Sequence, residues 1–267
     1  MRPLAEWPAA SRARIRGILF DIDETLTTRG QLTAPAYAAL ARAHAAGLVC
    51  VPVTGRPAGW CDHIARMWPV DGVVGENGAF WFRHDAAAGR LVRRFVVADA
   101  ERAASRARLA AIRERVLAEI PGAGIASDQP YREADLAIDF REDVAPLPRQ
   151  AIDRIAAIAR EAGATAKVSS IHVNIWFGAW DKLTTARLLL REALAVDLDE
   201  AGERERWTFA GDSPNDAPMF GYFPNAVGVA NVREFAGALD AEPAWVTGAE
   251  SGAGFAELID ALLAARG

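Results

Sequence analysis

Apolar residues along this chain gather into short, nearly unbroken runs that alternate with longer stretches of helical spacing. Residues 15–20, 48–53, 72–74, 207–210, 226–229 and 244–246 form runs of the first kind, interrupted only at Arg16 and Thr208. Near-continuous apolarity over so few residues suits strands buried on both faces of a parallel sheet. Between them, Thr33-Ala34-Pro35 opens a helix that Gly47 closes, and further helices are expected over residues 58–67, 182–196 and 254–265. Strand, helix and strand in this order predict right-handed parallel crossovers, hence an α/β fold with a doubly wound sheet. Pro52 marks an edge, a strand end or a bulge. Asn77-Gly78, flanked by Val73-Val74 and Phe80-Trp81-Phe82, is a hairpin signal.

The rhythm changes after Arg83. A strand over residues 91–97 precedes a long arginine-studded helix, 100–120, ended by Pro121-Gly122. Residues 135–140 alternate apolar and acidic, as a half-buried antiparallel strand does. A helix over 149–162 and strands over 166–169 and 171–177 complete the stretch. This pattern predicts an α+β module with helices on one face of an antiparallel sheet. The expected organisation is a core made of residues 1–82 and 178–267, with the module, 83–177, inserted as a cap.

The net charge of −5 argues against a general nucleic-acid or anionic-membrane surface, since either partner wants a basic face. It leaves room for a small phosphorylated ligand held by one or two local cations. No apolar run approaches the roughly 18 residues needed to span a bilayer. Residues 1–16 lack the apolar centre of a signal peptide. Cys50 and Cys61 make neither a disulfide framework nor a metal-site spacing, so a cytoplasmic address is expected. The 30 basic residues include only two lysines, Lys167 and Lys182. Arginine is thus the default cation, and a lysine marks a place where a compact ammonium is wanted.

Polar constellations stand at four element ends: Asp21 and Asp23 after the first run, Thr54-Gly55-Arg56 after the second, Lys182 at a helix start, and Asp212, Asn215 and Asp216 after residues 207–210. In a doubly wound sheet such ends converge at one edge. Carboxylates without histidine or cysteine partners suit a hard cation, Mg²⁺ above all, and a lysine and threonine beside it suit phosphate. Each end also has a plainer reading. Acids are common in turns, and Asp212 to Asp216 fits a helix start with acids complementing the dipole.

Four motifs, Asp21-Ile22-Asp23-Glu24-Thr25, Thr54-Gly55-Arg56, Lys182 and Gly211-Asp212-Ser213-Pro214-Asn215-Asp216, together resemble those of the haloacid dehalogenase (HAD) superfamily of phosphotransferases, in the same order. The long insertion after the second motif, with Glu76-Asn77-Gly78-Ala79, is similar to the Cof-like, type IIB sugar phosphatases. One departure is Glu24, where that subclass usually has glycine, which bears on the turn more than on the chemistry. The resemblance implies a Rossmann-like core with an inserted cap and a Mg²⁺-dependent phosphatase acting on a small phosphorylated sugar or polyol. It implies Asp21 as nucleophile and Asp23 as general acid and base. Thr54, Gly55, Lys182 and Asn215 would hold phosphate, and Asp21, Asp23 (through its carbonyl), Asp212 and Asp216 the metal. Asn215 would orient Lys182 or an acid.

Substrate contacts are expected from the cap. His172, Asn174 and Trp176 share one face of a strand, against the plainer reading of polar solvent contacts with Trp176 packed inside the module. Arg56 and Asn77 are further candidates. Two other functions fit parts of the pattern. Gly178-Ala179-Trp180-Asp181-Lys182 resembles the lysine segment of eukaryotic phosphomannomutases, and signalling receivers that accept phosphate also gather acids, a threonine and a lysine at one sheet edge, though without a cap.

Overall fold

The computed structural model describes residues 1–267. Six parallel strands build the central sheet in the spatial order Arg2–Pro3, Trp245–Val246, Val227–Gly228, Trp207–Gly211, Gly17–Phe20, Val49–Pro52. From Gly17–Phe20 the chain moves outward to Val49–Pro52. It later returns on the other side at Trp207–Gly211 and moves outward the opposite way. The order therefore reverses between Gly17–Phe20 and Trp207–Gly211, and the crevice beyond their carboxyl ends is where such sheets take ligands. Arg2–Pro3 was not expected as a strand, because two residues carry no periodicity.

Alternate residues of the sheet face two separate cores. Ile18, Phe20, Cys50 and Ala210 pack against Leu40 of helix Ala34–Ala45 and Phe255, Leu258 and Ile259 of helix Ser251–Ala264. Leu19, Val51 and Phe209 pack against Leu189 and Leu190 of helix Lys182–Leu194. Gly17 lies under Trp207, where a Cβ would sit 2.1 Å from the indole Cζ3. Gly17→Ala therefore destabilises the protein by about 1–3 kcal/mol, the range for overfilling a packed core. Urea unfolding measures this, and an unchanged midpoint would contradict it.

Pro52 ends the edge strand of the sheet. Val53 then bridges Val74, which leads into a second sheet of Val73–Gly75, Phe80–Asp85 and Arg90–Phe95. The expected hairpin is present, with Gly75 opposite Phe80 and a four-residue connection rather than a two-residue turn. Glu76, Asn77 and Gly78 all take positive φ, at 45°, 54° and 110°. The boundary expected between residues 82 and 83 falls inside strand Phe80–Asp85, so this hairpin stays paired with Val73–Gly75.

The inserted module has an antiparallel sheet in the order Gly124–Ile125, Leu136–Asp139, His172–Trp176, Thr165–Val168. Leu136, Ile138, Val173 and Ile175 pack against helices Asp99–Glu119 and Arg149–Glu161. The alternation over 135–140 predicts a half-buried strand, yet Leu136–Asp139 and His172–Trp176 are buried throughout. The opposite face is covered by the domain of the parallel sheet, with Trp176 and Ala134 packing on Ile22, Cys61 and Phe80. No helix is long and apolar enough to cross a membrane.

Candidate active site

The reversal point of the sheet assembles the site. Asp21 follows Phe20 directly, and its N–H donates to the Ala210 carbonyl at 2.9 Å, fixing it beside the next strand. Asp212 follows Gly211 at the end of that strand. Asp216 closes the short turn Pro214–Asp216 and folds back, so that its Oδ2 accepts from the N–H groups of Asp212 and Ser213 at 3.1 and 3.3 Å. Only glycine fits at 211, since a Cβ there would meet Asp216 Oδ2 at 2.5 Å.

Lys182 opens helix Lys182–Leu194, which Asp181 caps by accepting from Thr184 N–H at 2.7 Å while its own N–H donates to Thr184 Oγ1 at 3.1 Å. Gly78 approaches Asp181 so closely that a Cβ would stand 2.1 Å from its carbonyl oxygen, and Thr185 Oγ1 donates to the Gly78 carbonyl at 2.6 Å. Thus locked, Lys182 sends its ammonium into the crevice with 2% of its surface exposed. Nζ donates to Asp21 Oδ1 at 2.9 Å and to Asp216 Oδ1 at 2.6 Å.

Asp21, Asp212 and Asp216 each bring a carboxylate oxygen within 4.8 Å of the other two, all buried. Thr25 Oγ1 and Asn231 Nδ2 donate to the two oxygens of Asp212, at 3.0 and 3.3 Å. Burial lifts the Asp21 carboxyl, Lys182 pulls it back, and Asp216 and Asp23 add to the rise, leaving it at about 7. Burial, with Asp21 and Asp216 beside it, likewise raises Asp212 well above the usual carboxylate range. Burial opposes the charge on Lys182, but Asp21 and Asp216 outweigh it and hold the ammonium protonated. One cation among three buried carboxylates leaves negative charge unmatched. An oxygen-only donor set with that deficit fits a hard divalent cation.

The Asp23 side chain lies outside this cluster and meets Arg56, whose Nε and Nη2 donate to its oxygens at 2.8–3.1 Å. Arg56 is buried and also reaches the cap, donating to Asp128 at 3.3 Å and to Glu142 at 2.7 Å. Thr54 is buried with its Oγ1 accepting from Arg56 N–H at 3.1 Å, which tightens the loop. Gly55 threads between Asn77 and Asn174, and a Cβ there would lie 3.1 Å from Asn77 Nδ2. Asp21, Asp23, Gly55, Arg56, His172, Asn174 and Asn215 line one narrow cleft between core and cap.

Three expectations are corrected. Trp176 does not line this cleft. It is 1% exposed and stacks on Trp180 with ring centroids 6.4 Å apart, because it falls where the cap seats on the core rather than over the opening. Asn215 orients neither Lys182 nor an acid; it donates to Asn77 Oδ1 at 3.4 Å and accepts from Ser213 Oγ at 2.7 Å. Asn77 lies behind Gly55, outside the cleft lining. Glu24 keeps the left-handed φ, 57°, that a glycine adopts without strain, and its carboxylate braces Gly30 N–H and Ser251 Oγ, each at 3.2 Å.

Sequence reading missed the clamp that seats the cap. Buried Glu76 of the core accepts from Ala58 N–H and from three successive cap amides, Glu133, Ala134 and Asp135, at 2.6–3.1 Å. Buried Arg132 answers from the cap, pairing with Asp128 and Asp135 and donating to the Gly55 carbonyl at 2.9 Å. Glu142 was also missed. Burial works against its charge, but His172, whose Nε2 lies 2.8 Å away, and Arg56 hold its carboxyl down at about 2. The positive φ of Glu76 is invisible in sequence, whereas Asn77-Gly78 advertises its own.

No protein-family model and no curated protein sequence matches this chain. Solved structures do match in fold. A protein from Thermoplasma acidophilum shares 19% identity at a TM-score of 0.69, covering 93% of this chain and 98% of its own. The sucrose-phosphatase of Synechocystis sp. PCC6803, solved with sucrose and phosphate, shares 14% at 0.61, with 92% and 97% covered. A haloacid dehalogenase-like hydrolase from Bacteroides thetaiotaomicron shares 16% at 0.60, with 92% and 98% covered. Over nearly its whole length the chain shares the fold of structures described as a HAD/Cof-like hydrolase and a HAD subclass IIB phosphatase.

Proposed function

We propose that this chain is a phosphomonoesterase that transfers the phosphoryl group of a small phosphorylated sugar or polyol to Asp21 and then to water. The observation that carries this reading is the Asp21 carboxylate, buried at the reversal point, with Lys182 bound to one oxygen and two further carboxylates beside it. Neighbours of the same fold include a sucrose-phosphatase and a sugar phosphatase, which supports the reading.

Asp21 Oδ attacks phosphorus, the bond to the substrate oxygen breaks, and the aspartyl-phosphate is afterwards opened by water. Splitting the displacement this way replaces one difficult step by two easier ones. Asp23 gives the leaving oxygen its proton and takes one from the attacking water, a contribution of about 10²–10⁴-fold. To do so it must leave Arg56, which keeps Glu142 and Asp128 as partners. Lys182 and the Thr54-Gly55 loop hold the phosphoryl oxygens, and the seated cap keeps bulk water out. Asp21, Asp212 and Asp216, with the Asp23 carbonyl, would hold Mg²⁺. When bound, that ion offsets carboxylate–phosphate repulsion and stabilises charge on the transferring group.

Phosphate release from a panel of sugar and polyol phosphates, with Mg²⁺ or with EDTA, tests the proposal. Metal-dependent release is expected, and no release from any member, nor from p-nitrophenyl phosphate, would count against it. The electrostatics add a pH signature. Because the folded Asp21 carboxyl titrates at about 7 rather than 3.8, the metal-free protein holds the extra proton and loses stability as pH rises through that window. Melting temperature in EDTA should thus fall between about pH 5 and 7.5, and Mg²⁺ should raise it most at the upper end. Equal Mg²⁺ effects at both pH values would contradict the assignment.

A further inference from the structure

We propose that the substrate carries a second anionic group, a carboxylate or a second phosphate, received by Arg29 of the core and Arg141 of the cap. This deepens the phosphatase reading and rests on it. Beside the reaction cleft lies a cavity of about 320 Å³ whose lining includes Asp23, Glu24, Arg29, Arg56, Arg141 and Glu142. The charges divide unequally in use. Arg56 is bound to Asp23 and Glu142. Glu24 is occupied by Gly30 N–H and Ser251 Oγ. Arg29 and Arg141, both exposed at the rim, face no carboxylate within 4.0 Å, so their guanidinium groups are the cavity's unpaired cations.

Both arginines stand on braced turns, one from each domain. Thr28 and Gln31 exchange backbone hydrogen bonds of 2.9 and 3.0 Å around Arg29-Gly30, whose φ values are 51° and 71°. Such a turn favours asparagine or glycine at its first central place, and a long cation there is a costly choice unless its position is used. The Glu24 carboxylate fixes the turn through Gly30. Across the cavity, Asp139 accepts from the N–H groups of Arg141, Glu142 and Asp143 at 2.8–2.9 Å, which fixes the cap loop in the same manner. A planar fork suits two-oxygen recognition of carboxylate or phosphate. Because Arg141 arrives with the cap, an anion held by both arginines ties cap seating to the presence of a substrate of this class.

The test compares matched probes: glucose 6-phosphate with 6-phosphogluconate, and fructose 6-phosphate with fructose 1,6-bisphosphate, with p-nitrophenyl phosphate as a simple reference. The native protein should favour the member with the second anion by roughly 10- to 100-fold in kcat/KM, the range for a hydrogen-bonded charge. The carboxylate pair and the bisphosphate pair tell which anion is meant. Arg29→Gln and Arg141→Gln should each cut that preference several-fold through KM, and rising salt should erode it. Arg160→Gln, an exposed arginine on the far helix Arg149–Glu161, should leave it intact. Turnover of p-nitrophenyl phosphate with equal use of both members in each pair would overturn the anionic subsite while leaving the phosphatase standing. No turnover of any probe would remove the phosphatase reading, and the subsite with it.

Discussion

Asp21→Asn should abolish phosphate release, lowering kcat by roughly 10⁴-fold or more, as expected when the group that carries the covalent intermediate is lost. The amide is nearly isosteric, so the fold survives and the loss reads on chemistry. Stability should even rise slightly in EDTA, since one of three crowded carboxylates is neutralised while Lys182 keeps Asp216. The check is paired: kcat with Mg²⁺ for activity, and a thermal melt for folding. A variant that melts like the native protein but retains its turnover would remove Asp21 from the nucleophile's place.

Lys182→Ala should show the opposite balance. Its ammonium is buried and bound to Asp21 and Asp216, and deleting it leaves two buried carboxylates without their cation. Breaking a buried pair from one side costs about 3–5 kcal/mol. Activity should fall by about 10²–10³-fold as well, as when one preorganised donor to the reacting oxygens is removed. Mg²⁺ should recover part of the stability but little of the rate, because it offsets charge without restoring a donor at that position. Chemical denaturation with and without Mg²⁺ measures the first effect. A native-like midpoint in EDTA would show that the ammonium does not balance these acids.

The parallel-sheet domain was largely legible in the sequence because each of its signals is local. Short apolar runs such as 48–53 suit a strand buried on both faces, and three of them, 15–20, 48–53 and 207–210, end in the polar residues singled out for the site. Asp21, Asp212 and Asp216 converge since parallel strands deliver their carboxyl ends to one edge, and Lys182 reaches them from a helix start. What escaped depends on contacts between domains. The acids of 135–140 look like a solvated face in isolation, and only the core lying over that face buries Asp135 together with its partners Arg132 and Asn174. Trp176 shares a strand face with His172 and Asn174 but lands on the apolar seam, which spacing alone cannot separate from the cleft. Glu76 gave no sign of its role because its four donors come from segments distant in sequence.

The most direct measurement is acid-quenched turnover of p-nitrophenyl phosphate in Mg²⁺, followed by peptide mapping of the phosphoryl group. The mechanism predicts a transient, hydroxylamine-labile label on the peptide containing Asp21, absent from Asp21→Asn and decaying as free phosphate appears. A label on any other residue, or free phosphate formed with no labelled enzyme at any time, would contradict it. A label on Asp21 that persists without release of phosphate would mark an acceptor rather than a phosphatase.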